Sequence, residues 1–186
     1  MAKITKEVLS EALKKLLKKK SWEHIKVTEL VSVAGVNRQT FYYNFEDIYD
    51  LLKWSVNKEI HLAFDEVLDY KNWQECLIVI FRYFQENEKM ILNIVQSSAR
   101  PYFERVLRES FEPVVEKIVQ FSKNRQKNIK DIDEESFKFI IETYTLIAVK
   151  LVFEWIDCGM KEEVEDFICP YIKLLEGSYS FFAEKY

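Results

Sequence analysis

Glycine and proline, the residues that most often interrupt regular secondary structure, are scarce in this chain. Only 3 of each occur among 186 residues, so the sequence has few places for sharp turns. Alternating Val, Thr and Tyr runs bounded by Asn-Gly turns, which would indicate β-hairpins, are absent. With 48% hydrophobic and 15% aromatic residues, the composition also excludes disorder. Long helices with short connections are therefore expected, and the predicted fold class is all-α.

Several features favour a soluble cytoplasmic protein with no membrane contact. The chain begins without the apolar core of a secretory signal. Its most apolar stretch, residues 137–156, is interrupted by Glu142, Lys150 and Glu154, whereas a membrane span needs a run of about 18 apolar residues. Three scattered cysteines without a Cys-x-x-Cys pair do not form a disulfide framework, and we expect them to be small buried hydrophobic residues. They are Cys76, Cys158 and Cys169.

Residues 27–45 form the most informative stretch, which predicts two short helices separated by Gly35. On the first helix, Leu30, Val31 and Ala34 lie on one face and are expected to be buried. Gly35 follows directly, where a helix commonly ends in a left-handed residue that glycine adopts without a Cβ clash.

The second helix of this stretch has a buried face and a polar outer face. Asn37 offers a side-chain oxygen to cap its first turn, and Phe41 and Phe45 are spaced to lie together in the core. The outer or nearly outer residues are Arg38, Gln39, Thr40, Tyr42 and Tyr43. Arg and Gln can form paired hydrogen bonds with base edges, and Thr and Tyr hydroxyls can reach phosphates. The stretch predicts a DNA-binding helix-turn-helix; a surface helical hairpin with incidental polar residues is the alternative.

Charge is distributed unevenly along the chain. Through Phe45 the net charge is +5, and the remainder carries −9. A basic N-terminal quarter on an acidic body is typical of a DNA-binding module joined to a regulatory or assembly module. The alternative is that residues 14–20 are only the solvated face of the first helix.

The order of these residues resembles the TetR family of bacterial transcriptional regulators. The resemblance is carried by Ala34-Gly35-Val36-Asn37, two variable residues, Thr40-Phe41-Tyr42-Tyr43-Asn44-Phe45, and then Leu51-Leu52. It implies a three-helix DNA-binding head over residues 1–47, followed by a helical-bundle body for ligand or partner binding and dimerisation over residues 48–186. The segment from Arg38 to Tyr43, with Tyr49 to Leu52 and Trp54, is similar to the branch that regulates dihydroxyacetone kinase operons.

The outward-facing polar residues described above predict DNA contacts for the head. We expect Arg38 and Gln39 to touch base edges and Thr40 to touch a base or sugar. The remaining predicted DNA-binding residues, mostly phosphate contacts, are Lys26, Thr28, Asn37, Tyr42 and Tyr43. The chain departs from the family at Asn44, usually His or Tyr, and at Ile48, usually a phosphate-binding Lys, with Glu46 and Asp47 adding negative charge. Either DNA affinity is lower there, or backbone amides at the start of the next helix bind phosphate instead.

The last two predicted helices carry more apolar surface than one chain needs. Residues 137–156 are apolar around most of a helix, and residues 164–182 add a further apolar face. The resemblance implies that this pair forms a four-helix dimer interface, although an unusually thick monomer core is the alternative. The predicted interface residues are Phe153, Ile156, Phe167, Tyr171, Leu174 and Leu175.

The predicted function is a dimeric regulator that binds a palindromic operator in double-stranded DNA and responds to an unknown small-molecule or protein effector. Polar candidates for an effector pocket are Arg82, Gln96, Arg100, Tyr102 and Glu142. The alternatives are a helical ligand- or protein-binding adaptor with lost or weak DNA recognition, or an activator that depends on a co-regulator rather than a repressor. Only two histidines occur, without metal-ligand spacing or a nucleophile pattern, so we expect no enzyme activity, metal site or cofactor.

Overall fold

The computed structural model describes residues 2–66, 73–125 and 133–185, and all regular structure within these ranges is helical. The helices are α1 (Ala2–Leu17), α2 (Val27–Ala34), α3 (Arg38–Asn44), α4 (Ile48–Glu66), α5 (Trp73–Glu86), α6 (Glu88–Val95), α7 (Arg100–Arg125), α8 (Glu134–Asp157) and α9 (Val164–Lys185). A 3₁₀ turn, Trp22–His24, connects α1 to α2. The all-α prediction is confirmed.

The chain divides into two compact units. The first contains Met1–Glu59 and Glu86–Leu107, and the second contains Ile60–Gln85 and Arg108–Tyr186. The head and body predicted from the sequence, divided after residue 47, are functional parts and stay a prediction. The two compact units do not coincide with the predicted head and body, because the units are defined by which helices pack together.

In the first unit, α1 packs against α2, α3 and α6. Leu9, Leu13 and Leu17 of α1 are buried together with Leu30 and Phe41, and each such side chain contributes roughly 1.5–3 kcal/mol to folding. This spacing puts three leucines of α1 on one side, as a helix of 3.6 residues per turn requires. The core of the first unit therefore fixes α3 through its inner face and leaves its outer face available.

Two hydrogen bonds attach the end of α1 and the 3₁₀ turn to the α6–α7 segment. The Asn93 side-chain amide donates to the Leu17 carbonyl at 2.7 Å. The Ser98 backbone N–H donates to the Glu23 carboxylate at 2.8 Å, and this bond holds the pKa of Glu23 below its usual range. Residues 86–107 are thus part of the unit that carries the helix-turn-helix.

The second unit has an aromatic core built from three helices. The ring of Trp155 on α8 lies 5.2 Å from that of Phe81 on α5 and 6.3 Å from that of Phe167 on α9. Trp155 and Phe81 are buried. Asp133 caps the start of α8, because its carboxylate accepts from the Ser136 N–H at 2.8 Å.

The expectation that the cysteines are buried is wrong for two of them. Cys158 and Cys169 are exposed. Cys158 directly follows Asp157, the last residue of α8, which is also exposed. Cys169 is next to the buried Ile168 on α9, and one step along a helix rotates the side chain by about 100° toward solvent. The side chain of Cys76 lies outside the described residues.

Candidate nucleic-acid interface

The turn between α2 and α3 has the geometry that the sequence predicts. Gly35 ends α2 with φ 68° and ψ 28°, in the left-handed region that favours glycine. The Gly35 N–H donates to the Ser32 carbonyl at 3.3 Å, and the Val36 N–H donates to the Val31 carbonyl at 3.0 Å. These two bonds form a Schellman motif, which satisfies the last carbonyls of α2. The turn therefore sets the angle at which the chain enters α3.

The first turn of α3 is closed by its own polar side chains. The Asn37 side-chain oxygen accepts from the Thr40 backbone N–H at 2.7 Å and from the Thr40 hydroxyl at 2.9 Å. The Asn44 side-chain amide donates to the Thr40 carbonyl at 2.8 Å. The predicted Asn37 cap is confirmed. These groups stabilise α3, and the hydrogens of Thr40 and the Asn37 oxygen are already engaged.

The outer face of α3 carries the remaining polar residues predicted to meet DNA. Arg38 and Gln39 are exposed, and Tyr42 and Tyr43 are 51% and 85% exposed. One Arg38 guanidinium nitrogen donates to the Tyr42 hydroxyl at 3.4 Å, and the guanidinium carbon lies 5.8 Å from the centre of the Tyr42 ring. Helix α3 therefore presents hydrogen-bonding groups outward on a fixed support.

At the beginning of α2, two further predicted phosphate contacts are exposed. Lys26 immediately precedes the helix and Thr28 lies in its first turn. The side chain of Lys26 does not cap α2. An ammonium and a hydroxyl beside the N-terminus of a helix are groups that bind phosphate oxygens.

The edge that follows α3 is acidic and engages its own amides. The Asp47 carboxylate accepts from the Asp50 N–H at 2.8 Å, and the Asp50 carboxylate accepts from the Glu46 N–H at 3.2 Å. The arrangement resembles a capping box, except that the Asp50 carboxylate accepts from the N–H of Glu46 rather than from that of Asp47. The amides of Glu46 and Asp50 are thus already occupied by carboxylates, and the way in which this edge meets DNA stays a prediction.

The structure distributes the predicted dimer-interface residues between core and surface. Phe153 and Ile156 are buried within the chain, Phe167 and Tyr171 are half-buried, and Leu174 is exposed. The side chain of Leu175 lies outside the described residues.

Two exposed apolar side chains on α8 were missed by the sequence reasoning. Phe139 is 61% exposed and Leu146 is 55% exposed. They are seven residues apart and lie on one face of the helix, a spacing that was available in the sequence. Leu174 of α9, also 61% exposed, adds apolar surface on the other terminal helix.

The candidate pocket residues belong to both units. Arg82 pairs with Glu165 across α5 and α9, and Glu142 lies 3.9 Å from Lys138 on α8. Both of these pairs are in the second unit and face solvent. Their role in an effector pocket stays a prediction.

The other three candidates lie in the first unit. Gln96 is exposed at the end of α6, and Arg100 begins α7. The Tyr102 ring stands edge-on to that of Tyr49 at 4.9 Å, and partial burial raises the pKa of Tyr102.

Among the described residues, no group of three or more His, Cys, Asp and Glu side chains is placed to hold a metal ion. None of the helices in the described part of the chain has the length and apolar character that a membrane crossing requires.

Comparison with known proteins identifies the class. Residues 71–177, more than half of the chain, match the transcriptional regulator C-terminal region of the TetR type. The chain belongs to the TetR family of transcriptional regulators, and the predicted resemblance is confirmed.

One curated relative is the HTH-type dhaKLM operon transcriptional activator DhaS of Lactococcus lactis subsp. lactis (strain IL1403), which is 31% identical over 85 residues. The match covers 46% of this chain and 46% of that protein, so the chain spans about half the length of the curated relative it matches. This relative agrees with the predicted similarity to the branch that regulates dihydroxyacetone kinase operons.

Two solved structures share the fold. A dihydroxyacetone kinase operon activator, DhaS, superposes with a TM-score of 0.74 at 22% identity, covering 97% of this chain and 98% of that one. The fatty acid degradation regulator FadR from Bacillus halodurans superposes with a TM-score of 0.65 at 14% identity, covering 92% and 94%. At these identities the likeness concerns the fold alone, and it agrees with the all-α architecture.

Proposed function

We propose that this protein is a dimeric transcriptional regulator that binds a palindromic DNA operator and responds to an effector bound by its body. The observation that carries the proposal is the outer face of α3. Arg38, Gln39, Tyr42 and Tyr43 point away from the core, while the buried Phe41 anchors the helix beneath them.

The chemistry of this face suits the major groove. Arg and Gln side chains form paired hydrogen bonds with guanine and adenine edges respectively, each pair contributing roughly 1–3 kcal/mol of discrimination. Lys26, Thr28 and Tyr43 are exposed and supply the phosphate contacts that fix orientation without reading sequence. Base contacts therefore come from α3, and positioning comes from the residues around it.

Exposed apolar residues of α8 and α9 support dimerisation. Phe139, Leu146 and Leu174 present large hydrophobic side chains to solvent, and burying them against a second copy gains roughly 25 cal/mol per Å² of apolar surface. A two-fold dimer presents two recognition helices to successive major grooves, which matches a palindromic site.

The effector, a small molecule or a partner protein, acts in this proposal through its different affinities for DNA-competent and DNA-incompetent states. The Lactococcus relative is named as a transcriptional activator. Its name favours activation over repression as the direction of control for this chain.

DNA binding is tested by fluorescence anisotropy with duplexes taken from the region upstream of the protein's own gene. We expect salt-dependent binding to one such duplex, reduced at least about fivefold in an Arg38→Ala/Tyr42→Ala variant because the paired contact of Arg38 with a base edge is lost. Arg108→Ala, an exposed arginine of the second unit, is the matched control and should bind as the wild type does. Unchanged binding by the double variant would refute the assignment of α3.

Dimerisation is tested by light scattering coupled to size-exclusion chromatography. The wild type should have twice the mass of one chain, and Phe139→Glu/Leu146→Glu should have the mass of one. Leu62→Glu is the matched control, since Leu62 is 45% exposed on α4, and it should remain dimeric. A monomeric wild type, or a double variant that stays dimeric, would contradict this interface.

A second function, a helical adaptor with weak DNA recognition, is favoured by the acidic edge of Glu46, Asp47 and Asp50. Specific DNA binding falls steeply with salt and prefers one sequence. Weak binding that is insensitive to salt, without preference among duplexes, would support the adaptor.

A further inference from the structure

Arg38 and Tyr42 form a pair on the surface of α3. A guanidinium nitrogen of Arg38 donates to the Tyr42 hydroxyl at 3.4 Å, and the guanidinium carbon lies 5.8 Å from the ring centre. The two residues are four apart, so their side chains meet along one face of the helix. Tyr42 in turn stands edge-on to the buried Phe41 at 5.2 Å, which gives the tyrosine ring a fixed base.

We propose that Tyr42 is a positioning residue that holds the Arg38 guanidinium for a guanine in each half of the operator. This inference rests on the proposed DNA-binding function and assigns Tyr42 a role other than the phosphate contact expected from the sequence. An arginine offers a planar fork of donors that matches the O6 and N7 acceptors of guanine. A long, exposed arginine loses rotamer freedom when it binds, and a ring that already restrains it reduces that loss.

The other polar groups of α3 limit which residues can read bases. The Asn37 oxygen, the Thr40 hydroxyl hydrogen and the Asn44 amide are all used in hydrogen bonds within the helix. Arg38 and Gln39 remain as the side chains able to form paired bonds with a base edge. Arg38 then carries the contact with guanine, so its orientation determines discrimination at that base pair.

Tyr43 is the better phosphate contact of the two tyrosines. It is 85% exposed, against 51% for Tyr42, and no hydrogen bond joins its hydroxyl to another residue in the described part of the chain. The two neighbouring tyrosines therefore have separable roles, one in sequence discrimination and one in overall affinity. A variant of one tyrosine can therefore serve as the control for the same substitution at the other.

Parallel selection from a pool of randomised DNA duplexes tests the inference. The wild type, Arg38→Ala, Tyr42→Phe, Tyr42→Leu and Tyr43→Leu are each used to enrich binding sequences. We expect the wild-type motif to contain a preferred guanine in each half-site, and Arg38→Ala to lose that preference by about 5- to 150-fold, as expected for one paired contact.

Tyr42→Leu should reduce the preference for the same guanine at least about threefold and leave the other positions unchanged. Tyr42→Phe should retain part of it, because the ring still faces the guanidinium. Tyr43→Leu should bind the unchanged motif more weakly. In an Arg38→Ala background, Tyr42→Leu should add no further loss at that position, since the residue acts through the arginine.

Substitution of 7-deazaguanine for the selected guanine gives an independent readout, because it removes the N7 acceptor. This substitution in the DNA should reduce the affinity of the wild type more than the affinity of the Tyr42→Leu variant. Equal weakening of both proteins, or a uniform loss of affinity in Tyr42→Leu with the guanine preference intact, would overturn the positioning role. If the wild type enriches no sequence, the proposed function itself fails. If it enriches a motif in which Arg38→Ala changes no guanine, this inference alone fails.

Discussion

Replacing Asn37 with alanine tests how much its side-chain cap stabilises α3. The Asn37 side-chain oxygen accepts from the Thr40 backbone N–H at 2.7 Å and from its hydroxyl at 2.9 Å. Alanine removes both bonds and leaves the first turn of α3 without a side-chain cap. We expect the free energy of unfolding to fall by about 1 kcal/mol, the usual cost of losing such a cap.

The two bonds do not add in full, because Asn37 is exposed and water can replace the lost partner of the Thr40 hydroxyl. The backbone N–H is the larger contribution, since it is one of the amides that a helix N-terminus leaves without an internal partner. For a chain of this size, 1 kcal/mol corresponds to a fall in melting temperature of about 2–4 °C.

Urea unfolding followed by far-ultraviolet circular dichroism measures the change, with all variants at one protein concentration because dimer formation would affect apparent stability. Asn37→Ser and Asn37→Asp are the matched controls, since both keep an acceptor and should unfold near the wild-type midpoint. Asn37→Asp should nevertheless bind DNA more weakly, because it places a negative charge beside the phosphates. If Asn37→Ala were as stable as the wild type, the cap would not contribute as argued.

Three further predictions concern stability. Gly35→Ala should lower the free energy of unfolding by roughly 1–2 kcal/mol in urea titrations. Backbone strain alone is the cause, since φ is +68° and no atom lies within 4 Å of an added Cβ. Gly35→Asn should lower the free energy of unfolding by less, and equal losses in the two variants would contradict this reasoning. Thr145→Val should raise the free energy of unfolding by about 1 kcal/mol, because the buried Thr145 hydroxyl has no hydrogen-bond partner among the described residues. The change is measured as a higher melting temperature, and a less stable variant would refute the argument. Glu23→Gln should be less stable than the wild type at neutral pH, because the hydrogen bond from Ser98 lowers the pKa of Glu23. The difference in stability should disappear as the pH falls through that lowered pKa. A difference that does not depend on pH would exclude this cause.

The helix-turn-helix could be predicted in detail because its determinants are close in sequence. A left-handed Gly35, an Asn37 cap and a buried Phe41 each depend on residues within one or two helical turns. The Arg38–Tyr42 pair has the same local origin, since its spacing of four is readable from the chain. The sequence analysis assigned each of the two residues a DNA contact separately and did not consider them as a pair.

The terminal helices show what periodicity could not decide. Helix α8 is apolar around most of its circumference, and a pattern without a polar side does not indicate which face meets the core. Phe153 and Ile156 were expected at a dimer interface but are buried within the chain, whereas Phe139 and Leu146 are exposed. Contacts with Phe81 and Phe167, distant in sequence from Trp155, determine which way α8 turns.

The sequence by itself determined the all-α class and the local geometry of the helix-turn-helix, because scarce breaks, caps and short-range spacings act over a few residues. The order of residues between Ala34 and Leu52 carried the resemblance to the family. The tertiary structure decided which apolar residues remain exposed. It also showed that the segment containing Asn93 and Ser98 packs with the head, through hydrogen bonds to Leu17 and Glu23. These contacts join residues 75 or 76 positions apart, and no local pattern encodes such a pairing, because it depends on how whole helices share a core.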